Sequence, residues 1–326
     1  MFLDQYDLNF YSVLYGALDG DVSGSGGSNS PGGTGFRHYD RARCQKALVF
    51  AERCCHNSFN SIWHADGVEN GVRAADRVSG KLVDEATHRK LAIEYICTQF
   101  KAVLKGTASK TSLFNGTTPS ATGLATAILW AFGNPMWTLD DFENPTGNPA
   151  KGTRRLNSGA ALSDFGSIQI PTGVSINDHV LEQGHVVHAD TAVAGGSLSG
   201  VETTLPVGSR DLTLSTTLAL DIGAFFDTAS EATINAGTPP TFSVILHDNK
   251  GATATAAGSS FSPSLRKPFF HELSSGQNVT ALHLETLKIP LTVFTGIDLR
   301  NVVTIEVRVS TPTGHLFIDD IKLAGF

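Results

Sequence analysis

The sequence predicts a mixed fold, a parallel α/β portion followed by an all-β sandwich, and three observations carry that expectation. Two short apolar runs at 12–15 (SVLY) and 46–50 (KALVF) each lead into a polar loop and precede a helical pattern over 84–104. Beyond residue 160 the chain breaks into short, alternating, β-branched segments separated by Gly, Pro, Asn and Asp turns. Charge changes along the same line: the first 110 residues hold 13 basic and 12 acidic side chains, and the remainder 11 and 19.

Taken in order, SVLY closes on Gly16 and reads as a buried strand ending in a loop. Residues 23–35 (SGSGGSNSPGGTG) form a flexible insertion. A short helix over 36–43 then leads into KALVF, so that two parallel strands are joined by a helix. Leu91, Ile93, Tyr95, Ile96, Phe100, Val103 and Leu104 recur at largely helical spacing, and Lys105 and Gly106 suit the end of an amphipathic closing helix. Residues 107–160 read as a linker with one packed apolar segment at 124–132 (LATAILWAF). Strands are expected at 212–220, 242–246, 302–309 and 315–321. The expected domains are therefore 1–106, 107–160 and 161–326.

Composition narrows the function. The 326 residues carry a net charge of −7 with only 17% charged side chains, which excludes a general binder of nucleic acid or anionic membranes. No apolar run approaches ~18 residues, so no membrane span is expected. The N-terminal stretch is broken by Asp4 and Asp7 and has no basic start, so it does not read as a signal peptide. Cys44, Cys54, Cys55 and Cys97 match no zinc or redox spacing and are expected as buried free thiols.

The most informative constellation is an acid loop after the first strand, with Asp19 and Asp21, and Cys55-His56-Asn57 after the second. Parallel neighbouring strands bring such loops to one sheet edge, where α/β folds place their chemistry. A Ser-His-acid triad needs a carboxylate that orients and stabilises its imidazole, close in space and free in sequence. SVLYGALDGDV resembles the strand and acid loop of α/β-hydrolases, and KALVFAERCCHNSFNSIW resembles their last strand and His loop. The resemblance covers 1–105 and implies the final part of an esterase- or lipase-like domain, with Asp19 as triad acid, Asp21 as its rival and His56 as base.

One element of that family is missing. No Ser has Gly at both −2 and +2, since Ser28 and Ser197 have only the preceding Gly, and no Cys stands between two glycines. The expectation is a hydrolase portion that is truncated or completed by a second chain, inactive alone, and acting on an ester or polymer substrate in the complete enzyme. The alternative is a non-catalytic carbohydrate-binding or structural sandwich with a vestigial hydrolase segment.

His179, His185 and His188 lie close together near Asp178, but 185 and 188 point to opposite faces of a regular strand, so exposed histidines are expected rather than a metal site. The segments FTGIDL (294–299) and GHLFIDDIKLAGF resemble the closing strands of galactose-binding-like jelly-roll modules. That resemblance implies a β-sandwich of the kind that accompanies secreted hydrolases, hence an extracellular setting. Asp319 and Asp320 are weak candidates for a structural calcium, with at most one serving a given site. No Trp or Tyr platform for a sugar ring stands out: Trp130 and Trp137 fall in the linker and Trp63 in the first part.

Overall fold

The structure is a computed structural model. It describes residues 10–16, 39, 42, 44–55, 57–61, 82–105, 112–114, 118–124, 126–131, 136–140, 147–148, 152–156, 165–166, 186–190, 200–225, 241–261, 269–272, 278–281, 284–309 and 315–325. The chain divides into two compact units. One comprises Met1–Phe132, Ile176–Gln183 and Pro268–His283; the other comprises Gly133–Ser175, Gly184–Lys267 and Leu284–Phe326.

In the first unit, β1 (Phe10–Gly16) and β2 (Gln45–Ala51) pair in parallel from Phe10 opposite Gln45 to Gly16 opposite Ala51. The apolar segment expected inside a linker is β3 (Thr126–Ala131), which pairs antiparallel with β2 and buries Ile128 and Trp130. The described sheet is therefore mixed and three-stranded, and a hydrolase-type parallel sheet is not what it shows. Of the short helix expected over 36–43, only Tyr39 and Ala42 are described.

Helix α1 (Glu85–Lys105) begins where its cap dictates. Asp84 accepts the Thr87 backbone N–H at 2.8 Å and the Thr87 hydroxyl at 2.7 Å, satisfying a donor that the first turn leaves without an intrahelical acceptor. His88, Leu91 and Tyr95 form its buried face. Tyr95 packs edge-on against Phe114, which meets Phe10 of β1 in the same way. Gln99 donates to the Phe10 carbonyl at 2.9 Å, tying the helix to the strand. The expected apolar stripe divides: Ile93, Ile96, Phe100, Val103 and Leu104 lie on the solvent side, because the sheet takes the Leu91/Tyr95 face instead.

In the second unit, strands follow as β4 (Met136–Asp140), β5 (Gly147–Asn148), β6 (Gly152–Leu156), β7 (Phe165–Gly166), β8 (Val186–Asp190), β9 (Gly200–Thr204), β10 (Thr217–Phe225), β11 (Phe242–Asp248) and β12 (Thr253–Ala257). A hairpin, β13 (Phe269–Glu272) with β14 (Asn278–Ala281), is assigned to the first unit, and β15 (Glu285–Pro290), β16 (Val302–Val309) and β17 (His315–Ala324) complete the second. Two six-stranded antiparallel sheets result. One runs β15-β10-β17-β8-β7 with β4 beside β17; the other runs β12-β11-β16-β9-β6-β5. The chain switches sheets from β9 to β10, to β11, and again from β15 to β16 to β17, as expected of a sandwich rather than of two independent meanders.

Between the sheets lies one core. Leu218, Leu220 and Ile222 of β10 and Ile318, Ile321 and Leu323 of β17 meet Val244 and Leu246 of β11 and Ile305 and Val307 of β16. A buried polar link crosses that core, the Thr203 hydroxyl donating to Asp140 at 3.0 Å. Residues 107–160, expected as a linker, thus supply β3 to one unit and β4, β5 and β6 to the other. Their Thr-, Gly- and Asn-rich composition conceals short strands that lean on longer partners.

Two further expectations change. The alternating 212–220 segment is a strand only from Thr217; its first half is a turn, in which Asp211 accepts both the Thr213 N–H at 2.9 Å and the Thr213 hydroxyl at 2.5 Å. FTGIDL is a loop rather than a closing strand. Asp298 within it accepts the Arg300 N–H at 3.1 Å and the Asn301 amide at 3.0 Å, and its own N–H donates to Asp248 at 3.2 Å.

Candidate functional site

The sheet containing β16 has one face in the core; on its other face Thr253, Thr255 and Arg308 are exposed, Ser243, His247, Thr304, Glu202 and Thr204 are half-buried, and Glu306 and Ile245 are buried. Period-two alternation sends Ile305, Val307 and Val309 inward and Thr304, Glu306 and Arg308 outward. Register then builds rows across the strands. Glu306 stands opposite Ile245 of β11 and Glu202 of β9, and Glu202 stands opposite Arg155 of β6. On one side of that row lies Ser243 with Arg308; on the other lie His247, Thr304 and Thr204. From β12, Thr253 and Thr255 extend the same face.

Glu306 is the centre of this platform. Its Oε1 accepts from Arg308 Nε at 2.6 Å and its Oε2 pairs with His247 Nε2 at 3.1 Å. Only 1% of its side chain reaches solvent, whereas Arg308 keeps 44% and His247 32%. A carboxylate opposite another carboxylate is unfavourable in an antiparallel pair; Arg308 and His247 supply the donors that hold Glu306 there. The result is a rigid array of acceptors, donors and hydroxyls on a sheet face. Alternation in VVTIEVRV shows that Thr304, Glu306 and Arg308 share a face, but it does not show that Glu306 is buried between Arg308 and His247, the latter on a partner strand far off in the chain.

The other sheet carries a polar cluster on its side away from the core. Lys322 of β17 places Nζ 2.5 Å from Asp221 Oδ2 and 2.9 Å from Asp320 Oδ2. The Thr286 hydroxyl donates to Asp221 Oδ1 at 2.5 Å. Burial pushes the Asp221 carboxyl above its ordinary range, against the pull of the Lys322 ammonium. Asp319 and Asp320, the calcium candidates, are part of this neighbourhood: Asp319 is buried and Asp320 already faces a cation, the lysine ammonium. Among the described residues no group of three or more His, Cys, Asp or Glu side chains gathers in a way that fits a metal ion. Asp248, at the end of β11, accepts the N–H groups of Lys250, Ala252 and Asp298. Burial opposes its ionised form, but those three donors prevail and hold its carboxyl below the usual range.

In the first unit the loops after β1 and β2 leave the same end of a parallel pair. Asp19, Asp21 and His56 lie outside the described residues. Their approaches are described. A Cβ on Gly16 would sit 2.5 Å from the Cys54 carbonyl oxygen, so the end of β1 abuts the loop that carries His56, and only glycine permits that approach. Arg53 takes a left-handed φ of 59°. Cys55 donates its N–H to His88 Nε2 at 3.0 Å, and the other ring nitrogen of His88 lies 3.0 Å from the Asp84 carbonyl. The first contact requires Nε2 bare and the second requires Nδ1–H, so His88 is neutral in this arrangement. Burial, the larger cause, lowers its pKa as well. Cys54 and Cys55 are buried free thiols as expected, but Cys44 is half-buried and Cys97 exposed. Burial pushes the Cys54 thiol up to about 12, which makes it a packing residue rather than a nucleophile.

His188 lies in β8, opposite Phe317 of β17, and His179 and His185 fall outside the described residues. Among the described residues no helix is long and apolar enough to cross a membrane.

No protein-family model and no curated protein matches the chain. Among solved structures, a family 11 carbohydrate-binding module from Clostridium thermocellum, in complex with a β-1,3-1,4-mixed-linked tetrasaccharide, is 17% identical over 60% of this chain and 97% of its own, with a TM-score of 0.32. A family 30 carbohydrate-binding module of a cellulosomal cellulase from the same organism is 14% identical over 58% and 98%, with a TM-score of 0.33. An exo-β-agarase is 13% identical over 58% of this chain and 25% of its own, with a TM-score of 0.30. Likeness at this level assigns neither family nor ligand, and the sandwich is established by its own strand pairing.

Proposed function

We propose that the second unit is a non-catalytic carbohydrate-binding β-sandwich that lays a polysaccharide across β12, β11, β16 and β9 on the side away from the core. The observation that carries this reading is the part-exposed pair Arg308 and His247, both held in place by the buried Glu306 carboxylate between them. Sugar hydroxyls both donate and accept, so they are matched by fixed carboxylates beside guanidinium and imidazole groups. A glycan running across the strands meets a new side chain about every 4.8 Å. Ser243, Thr204, Thr255 and Thr304 add hydroxyls around the clamp.

Affinity electrophoresis of the full chain through gels containing mixed-linked glucan, soluble cellulose derivatives or agarose tests this. Retardation by at least one polymer is expected, reduced at least several-fold in Arg308→Ala with the fold intact by circular dichroism. Unretarded migration of folded wild-type protein in every gel of a broad panel would reject it.

A second reading concerns the first unit and is supported by the parallel pairing of β1 with β2 and the pinned loop before His56. In this reading the unit is part of a serine carboxylic-ester hydrolase, with Asp19 or Asp21 orienting His56. His56 takes the proton of a serine supplied by another polypeptide segment and returns it to the leaving group. His88 fixes the backbone of the preceding residue and acts as a positioning residue.

A further inference from the structure

We propose that Lys322 and Asp221 close a spontaneous intramolecular isopeptide bond that ties β17 to β10. The two strands are hydrogen-bonded neighbours, and both residues lie on the side away from the core, yet each side chain is only 3% exposed. The register sets Lys322 opposite Ala219, two residues before Asp221. The ladder shifts between Leu220 and Asp221, where Asp320 is the extra residue and takes a positive φ of 38°. That bulge lets Lys322 reach diagonally to Asp221, with Nζ 2.5 Å from Oδ2 and so one bond removed from Cγ, the carbon to be attacked.

The groups around the pair supply what acyl transfer needs. An amine attacks only as its free base, and a carboxyl accepts attack only when protonated or polarised. A buried ion pair recovers its desolvation cost poorly, so transfer of a proton from Nζ to the carboxyl yields a neutral pair suited to this site. Thr286 donates to Oδ1 at 2.5 Å, where the oxyanion of the tetrahedral intermediate develops. Asp320 Oδ2, 2.9 Å from Nζ and on a side chain 30% exposed, accepts and relays the amine protons. The balance is complete without a co-reactant: the Nζ–Cγ bond forms and the Cγ–Oδ2 bond breaks. The ammonium gives up two protons, and both leave with Oδ2 as water. Two buried charges become a neutral amide, and burial keeps out the water that would reverse the step. The new bond closes a loop spanning 101 residues of the sandwich, which restricts the unfolded chain.

Intact-mass spectrometry of the purified full chain is decisive. The expected mass is that of the sequence less one water, and tryptic digestion should give one branched species joining the Asp221 peptide to the Lys322 peptide. Lys322→Arg and Asp221→Ala should show their full sequence masses, and Thr286→Val should retain the pair but form the bond several-fold more slowly. A folded wild-type protein that keeps its full mass after prolonged incubation overturns the proposal. So does a water loss that persists in Lys322→Arg, since that loss would arise elsewhere, for example as a succinimide.

Discussion

Replacing Glu306 and Arg308 singly and together measures the clamp that the proposed glycan face depends on. In Glu306→Gln the shape and one acceptor remain but the charge goes. In Arg308→Ala the 2.6 Å donor to Oε1 is lost while His247 stays at Oε2. Because Arg308 is 44% and His247 32% exposed, solvent screening places each bond near ~0.5–1 kcal/mol rather than the ~1.5–3 kcal/mol of a charged bond away from water. Glu202 complicates the single variants, because removing the Glu306 charge also relieves a cross-strand repulsion of similar size, ~0.2–1 kcal/mol. Glu306→Gln alone should therefore cost little, and Arg308→Ala should cost about 0.5–1 kcal/mol. The repulsion from Glu202 cancels in the double-mutant cycle, leaving an expected coupling of about 0.5–1 kcal/mol. Native-state hydrogen exchange at the β16 amides of the full chain reads this locally, whatever the other unit does. The coupling should also shrink as salt is raised, since one partner is solvated. A coupling within ~0.3 kcal/mol of zero at low salt would show that the clamp is only an arrangement of side chains, and would remove the feature on which the glycan face is argued.

Two expectations bear on the first unit. His88 should titrate below its ordinary value of 6.5, as read from imidazole NMR shifts; a value at or above 6.5 would mean that Cys55 N–H is not its partner. The sign follows: the unfolded chain takes up the proton first, so the stability from neutral His88 is complete above the unfolded value and is lost as pH falls through the folded one. If the first unit is the hydrolase part proposed as the second reading, the pure chain assayed with nitrophenyl esters should give no turnover above background, because its serine then comes from another segment; turnover that survives His56→Ala would refute the triad assignment.

Local chemistry made part of this fold legible. Asp84 and Lys105 bracket α1 as the sequence reading expected, because a capping carboxylate and a terminal lysine act within a single turn. Period-two alternation likewise placed β16 over the whole of 302–309. What failed depended on partners distant in sequence. The stripe Ile93, Ile96, Phe100 and Leu104 has good helical spacing, but spacing cannot say which face a sheet will cover, and Leu91 and Tyr95 are the ones covered. In LTLSTTLAL the alternation is real, yet Asp211 captures Thr213 and bends the first half into a turn. FTGIDL is expected as a closing strand by resemblance, and there Asp298 ties the chain into a loop through its carboxylate and its own N–H.

The calcium expectation at Asp319 and Asp320 shows where period-two reasoning stops. It holds that neighbouring strand residues face opposite ways, which is true only while the ladder stays in register. Here the register shifts, so Asp319 pairs with Asp221 and Ile321 with Leu220, and Asp320 is left over between them. A bulge is a property of two strands, and β10 lies about a hundred residues earlier in the chain. The same extra residue therefore explains two things. It turns the Asp320 carboxylate toward Lys322, and it allows a lysine ammonium to take the cation position that the acidic sequence suggested for a metal.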